Sequence, residues 1–154
     1  MAPLAQLLDR PKAGAGLLPA GLAPLAPAAC LGSPQGYTRH VAYADPAGRY
    51  TALYLVWRAG QFSPVHGHRT WCVYRVLQGE LRETLYGWDD TATQAYETGI
   101  VARRPGDVVR ARPGLQNIHR LGNAGGEVAI SLHIYGVDEA SVACGVNLLV
   151  AAAA

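Results

Sequence analysis

Charge is scarce in this 154-residue sequence: Asp, Glu, Lys and Arg make up 16% of it and the net charge is +2. The basic residues form no run and do not interleave with aromatics, so the electrostatic footprint of a nucleic-acid binder is missing. Cysteine is also sparse. Cys30, Cys72 and Cys144 stand far apart, are odd in number and contain no CxxC pair, which argues against a disulfide framework and fits a reducing, cytoplasmic setting. No apolar run is long enough to span a membrane as a helix. The uncharged stretch 13–30 has the look of a lipoprotein leader, but Pro19, Pro24 and Pro27 interrupt it and Asp9 dilutes its cationic start. Pro27 also stands where such a leader needs an aliphatic residue, so no export signal is expected.

What the sequence does have is 18 glycines, 10 prolines and a half share of hydrophobic residues. Frequent turns, few long helices and one compact domain follow from that mixture. Residues 1–36 are rich in Ala, Pro, Leu and Gly, and we read them as an arm packed on the main fold, with a short helix over Leu4–Arg10. From Tyr37 onward, short aromatic and β-branched runs alternate with turn residues: YTRHVAY, YTALYLVWR, WCVYRVLQ, LRETLYGW, DVVRARP and EVAISLHIY. Strands at this spacing predict an all-β barrel or sandwich over residues 37–154. Trp71–Leu77 and Leu81–Trp88 read as a tight hairpin turning at Gln78–Gly79, and Glu139–Val150 is the late helix candidate.

Histidine carries the chemistry. In Gly60-Gln-Phe-Ser-Pro-Val-His66-Gly-His68, the two histidines are two residues apart, so on a strand both point to one face. His119, on another strand, can meet them, and three neutral imidazoles suit iron, zinc, nickel or copper. The segment from Gly60 through Cys72 to Gly79 reproduces the first sequence motif of the cupins in its spacing, with Cys72 where most cupins carry a glutamate. Gly106, Pro113, Gly114, His119 and Asn123 reproduce the second motif, with one extra residue between Gly106 and Pro113. The fold expected is therefore the cupin double-stranded β-helix, or jelly roll, with a short N-terminal helical arm. Replacing the glutamate leaves three neutral ligands on a dication, and a substrate thiolate can supply the missing charge.

With these features the sequence resembles the cysteine dioxygenase family over about residues 35–135. That resemblance implies a ferrous site, Fe(2+), held by His66, His68 and His119, and oxidation of a small thiol to its sulfinic acid with O2. Tyr37-Thr38-Arg39 matches the family's carboxylate-binding segment, and a guanidinium fork suits a carboxylate. Ser131-Leu-His133-Ile-Tyr135 matches its Ser-His-Tyr relay, with alternate residues on one strand face. Cys72 is similar to the cysteine that animal members link to the relay tyrosine by a thioether. Here it lies four residues after His68, one fewer than in those enzymes, so either a crosslink to Tyr135 or a small buried hydrophobe is a reading open to it. His40 is expected on the face away from Arg39, and Trp57, Trp71 and Trp88 in packing roles.

L-Cysteine is the first substrate implied, because the related mercaptopropionate dioxygenases typically carry glutamine at the position of Arg39. 3-Mercaptopropionate and mercaptosuccinate stay open, since one arginine does not exclude them. Relatives also tend to carry more helical sequence ahead of the barrel, which bears on the pocket's outer wall. The partners implied are the thiol and O2, in a monomer or homodimer, with no nucleic acid or membrane. Two other classes stand as rivals: a non-catalytic metal-binding cupin that serves as a ligand-binding or sensor domain, and a cupin isomerase or hydrolase using a Lewis-acid metal.

Overall fold

A computed structural model describes residues 21–154; the arm's helix candidate, Leu4–Arg10, lies outside them. Among the described residues, ten strands make two five-stranded sheets. The first contains β1 (Thr38–Ala44), β2 (Thr51–Trp57), β4 (Cys72–Gln78), β7 (Val108–Ala111) and β9 (Ala129–Tyr135), in the order β1-β2-β9-β4-β7. The second contains β3 (His66–His68), β5 (Leu81–Asp89), β6 (Gln94–Arg103), β8 (Gly114–Gly122) and β10 (Asn147–Leu149), in the order β10-β3-β8-β5-β6. Every pairing between these strands is antiparallel. The all-β expectation holds.

Burial explains why β2 and β9 read as nearly continuous apolar runs, since every residue in both is buried. A strand covered on both faces has no side that must be polar. On its outer face the first sheet packs Ala52, Tyr54, Val56, Val73, Ile130, Leu132 and Ile134 into one cluster, and Leu22, Leu25 and Cys30 of the arm lie against it. On its inner face Leu53, Leu55, Trp57, Tyr74 and Tyr135 meet Leu81 and Leu121 of the second sheet. Burying a side chain of this size stabilises by about 1.5–3 kcal/mol, so the inner cluster holds the two sheets together.

Two expectations are corrected. Trp71–Leu77 and Leu81–Trp88 are strands but not a hairpin: β4 pairs with β7 and β9, whereas β5 pairs with β6 and β8. The turn between them carries the chain from one sheet to the other. Gly79 does supply the left-handed backbone there, at φ 70°, and a Cβ on it would lie 2.9 Å from Ala129.

The late helix breaks up as well. A 3₁₀ turn at Glu139–Ser141, capped by the Asp138 carboxylate accepting from the Ser141 amide, leads into the single helical turn α1 (Val142–Gly145). Asn147–Leu149 then becomes β10 beside β3. Gly145 weakens a continuing helix by about 1 kcal/mol relative to alanine, and the free edge of β3 offers backbone partners instead. β6 is an edge strand outside the predicted runs; its exposed Tyr96 and Ile100 blur the apolar pattern.

Candidate metal centre and active site

Cross-strand register assembles the histidines. His66 sits directly opposite His119 across β3 and β8, and an irregularity follows before His68 pairs with Gly114. All three are buried, and one ligand nitrogen from each lies within 4.8 Å of the others. Gly67 lets the strands come this close, for a Cβ there would stand 2.5 Å from the Gly114 carbonyl oxygen. Gly67→Ala should therefore push β3 from β8 and lower stability by about 1–3 kcal/mol, read as a reduced thermal midpoint of the metal-free protein.

The proton positions prepare these rings for a cation. Pro64 offers only a carbonyl, so His66 Nδ1 donates to it at 2.8 Å. The Glu83 carboxylate likewise accepts from His119 Nδ1 at 2.6 Å. His66 is thereby set with Nε2 bare, and it faces the Nε2 of His119 at 3.1 Å. Burial, with the neighbouring His119, pushes His66 down to about 3 and His68 to about 4, so both rings are neutral. Three buried imidazoles with ligand nitrogens gathered within 4.8 Å of one another make a donor set that fits a divalent metal such as iron.

One pocket over this cluster collects the other expected residues except Ser131, which is buried behind His133. Its walls include Tyr37, Arg39, Cys72, His133 and Tyr135, with Trp57, Leu55 and Asn147 in addition. Arg39 enters from β1; its guanidinium lies 5.7 Å from the Tyr37 ring centroid, and its Nη2 is 3.4 Å from the Tyr37 hydroxyl. Tyr37 is in turn stacked on Trp57 at 4.3 Å. His40 takes the opposite face and bonds Thr38 Oγ1 at 2.9 Å, half-buried rather than fully solvated.

β9 turns Ser131, His133 and Tyr135 inward as a continuous hydrogen-bonded chain. Trp57 Nε1, which can only donate, gives its proton to Ser131 Oγ at 3.0 Å. Taken as the donor to His133 Nε2 at 2.9 Å, the Ser131 hydroxyl gives its own buried proton a partner. Burial holds His133 well below the usual histidine range, so this neutral ring keeps its proton on Nδ1 and offers it to the Tyr135 oxygen at 3.3 Å. The Tyr135 hydroxyl proton is then directed to the pocket side of the ring, where Cys72 also lies within hydrogen-bonding reach. Trp57, expected in a packing role, thus also sets the direction of this chain.

Cys72 lies directly opposite Tyr135 in the β4–β9 register, so its shorter spacing from His68 does not separate the pair. Burial raises its thiol well above the ordinary range, and it sits within hydrogen-bonding reach of Tyr135.

Sequence reasoning missed Glu83 and Tyr74. Glu83 is 1% exposed and also accepts from Arg103 Nε at 2.7 Å. Leu81, Glu83 and Leu85 share one strand face, and an acid between two leucines on a core face was the available signal. Tyr74 stacks on His133 at 4.9 Å and lies 6.4 Å from His119. Trp71 packs against the outer cluster, away from the pocket.

Two packed antiparallel sheets with a buried three-histidine cluster between them define a cupin. Solved structures agree on the fold. A conserved protein with a double-stranded β-helix domain from Klebsiella pneumoniae aligns with a TM-score of 0.56 at 19% identity, over 76% of this chain and 82% of its own. A cupin 2 conserved barrel domain protein from Rhodopseudomonas palustris aligns with a TM-score of 0.52 at 19% identity, over 65% and 60%. The family model for cysteine dioxygenase type I matches residues 29–138, and the chain belongs to that family. It is 31% identical to cysteine dioxygenase type 1 of Danio rerio over 104 residues and 27% identical to that of Homo sapiens over 103. In each case the match takes in 64% of this chain and 50% of the relative, so the chain spans about half the length of the curated relatives it matches. No helix among the described residues is long and apolar enough to cross a membrane.

Proposed function

We propose that the protein is an iron-dependent thiol dioxygenase that oxidises a small carboxylated thiol, L-cysteine first among the candidates, to its sulfinic acid with O2. The observation that carries this reading is Arg39: a guanidinium beside a tyrosine hydroxyl, opening on the same pocket as three buried imidazoles. A carboxylate held there by Arg39 and Tyr37 leaves the thiol of the same small molecule facing the histidines.

Ferrous iron, when bound by His66, His68 and His119, would supply a site for the thiolate and the electron exchange that spin-paired thiol chemistry with O2 needs. The protein's residues do the rest. With no carboxylate among the ligands, the substrate thiolate would be the anion that binds the metal directly. The Trp57–Ser131–His133 chain aims the Tyr135 proton at the reacting sulfur and oxygen atoms, where it can stabilise charge developing on oxygen. Leu55, Leu121 and Trp57 keep the pocket dry. Thiol and O2 combine into one product, RSH + O2 giving RSO2H, so sulfur is the only reductant and no co-substrate is required.

Oxygen uptake by iron-loaded protein with cysteine, 3-mercaptopropionate, mercaptosuccinate and cysteamine tests the proposal. Uptake matched by sulfinate is expected with the carboxylated thiols, fastest with cysteine. Metal-loaded protein that consumes no O2 with any thiol would leave the non-catalytic, metal-binding reading in its place.

A further inference from the structure

Resting on the metal-centre reading, we propose that Glu83 is a positioning residue that supplies, from behind His119, the negative charge the three-histidine ligand set lacks. The first cupin motif here has Cys72 in place of its glutamate, yet a carboxylate has not left the centre. Glu83 lies on β5, opposite β8, and each of its oxygens has one partner: Oε1 takes the His119 Nδ1 proton at 2.6 Å and Oε2 takes the Arg103 Nε proton at 2.7 Å.

A leucine like its neighbours Leu81 and Leu85 would fill the strand face without the cost of burying a charge. The retained acid therefore needs a role, and its contacts define one. An ionised acceptor on Nδ1 fixes the His119 ring and makes Nε2 a stronger donor to a cation. Arg103 can only donate, and its guanidinium fixes Oε2 at 2.7 Å, a charge-assisted contact that holds the acid as a carboxylate while Oε1 accepts from His119. Arg103 stops it from swinging away.

Glu83 does not line the Arg39 pocket. It faces a second cavity of about 310 Å³ on the other side of the histidines, walled by Tyr74, Tyr86, Thr98 and Arg103 among others. Glu83 consequently acts through His119 and not on the thiol. The same cavity gives small carboxylates room to reach the position.

Anaerobic competition against a chromogenic Fe(II) chelator reads the effect. Glu83→Gln, nearly equal in shape, should bind Fe(II) about 10- to 100-fold more weakly, raise the reduction potential of the site, and leave the KM for cysteine within about twofold. Glu83→Ala should show the same weakening, and formate added from the second cavity should restore affinity there while leaving the unsubstituted protein unchanged. Unaltered affinity and potential in Glu83→Gln, or a Glu83→Ala defect that formate does not repair, overturns the proposal. If Glu83→Gln does not fold, the double variant Glu83→Gln with Arg103→Gln removes both charges together and carries the same prediction for affinity and potential. Should the unsubstituted protein bind no iron, the metal-centre reading itself fails; weak iron in the variants alone cannot produce that result.

Discussion

His119→Ala should abolish stoichiometric iron binding, because it removes one of three ligands and the ring through which Glu83 addresses the site. Two histidines at alternate positions of one strand cannot enclose a cation as the cross-strand set does. The clearest reading is thermal. Metal that binds only the folded state stabilises it by RT ln(1 + [L]/Kd), about 2.7 kcal/mol at a hundredfold excess over Kd. Iron should therefore raise the unfolding midpoint of the unsubstituted protein by several degrees and leave that of His119→Ala where it is. The metal-free variant will itself be less stable than the metal-free original, since Glu83 and Arg103 lose a buried partner. For that reason the response to iron, and not the absolute midpoint, is the decisive quantity. Full iron occupancy in the variant would remove His119 from the ligand set.

The sequence made much of this legible where a local pattern has one structural meaning. Short aromatic and β-branched runs bounded by turn residues read as strands, and β1, β2, β4, β5, β7 and β9 all appear where such runs lie. Two histidines at i and i+2 share a face on any strand, so their convergence needed only one partner strand. Pairing is another matter. Nothing in Trp71–Trp88 says whether the chain folds back on itself or crosses to the other sheet, because that depends on which distant strands already occupy each edge. β10 illustrates the same limit: Asn147–Leu149 is a strand because β3 has an edge to fill, not because its residues insist on one.

Within the site, residues that touch the pocket from a recognisable motif were found, and residues that act from behind were not. Arg39, Tyr37 and the Ser131–His133–Tyr135 series each sit in such a motif. Trp57 reads as core from sequence, and it is core; only its Nε1 at 3.0 Å from Ser131 Oγ shows that it also orients the relay. Glu83 is separated from His119 by 36 residues, so no spacing rule joins them. Its place between Leu81 and Leu85 on a core face was a signal that went unused, and the partner that explains it comes from β8.

Arg39→Ala should separate carboxylated thiols from those without a carboxylate. Arg39 is half-buried, and its field is felt at both His66 and His133, each of which is pushed down in part by it. A carboxylate paired with it in this partly dry pocket makes a charge-assisted contact, and truncating one partner of such a pair costs about 2–5 kcal/mol. At about 1.4 kcal/mol per decade, kcat/KM for cysteine should fall by roughly 30-fold to several thousandfold. Cysteamine, which has no carboxylate, should change by no more than about threefold, a margin that allows for the altered field at His66. The metal-binding histidines are untouched, so iron content should stay stoichiometric. Arg39→Lys should recover only part of the loss, because a point-like ammonium on a shorter reach cannot match both carboxylate oxygens or keep the guanidinium's place beside Tyr37. If cysteine and cysteamine decline together, Arg39 is acting on the metal site as a whole, and the carboxylate must be held elsewhere in the pocket.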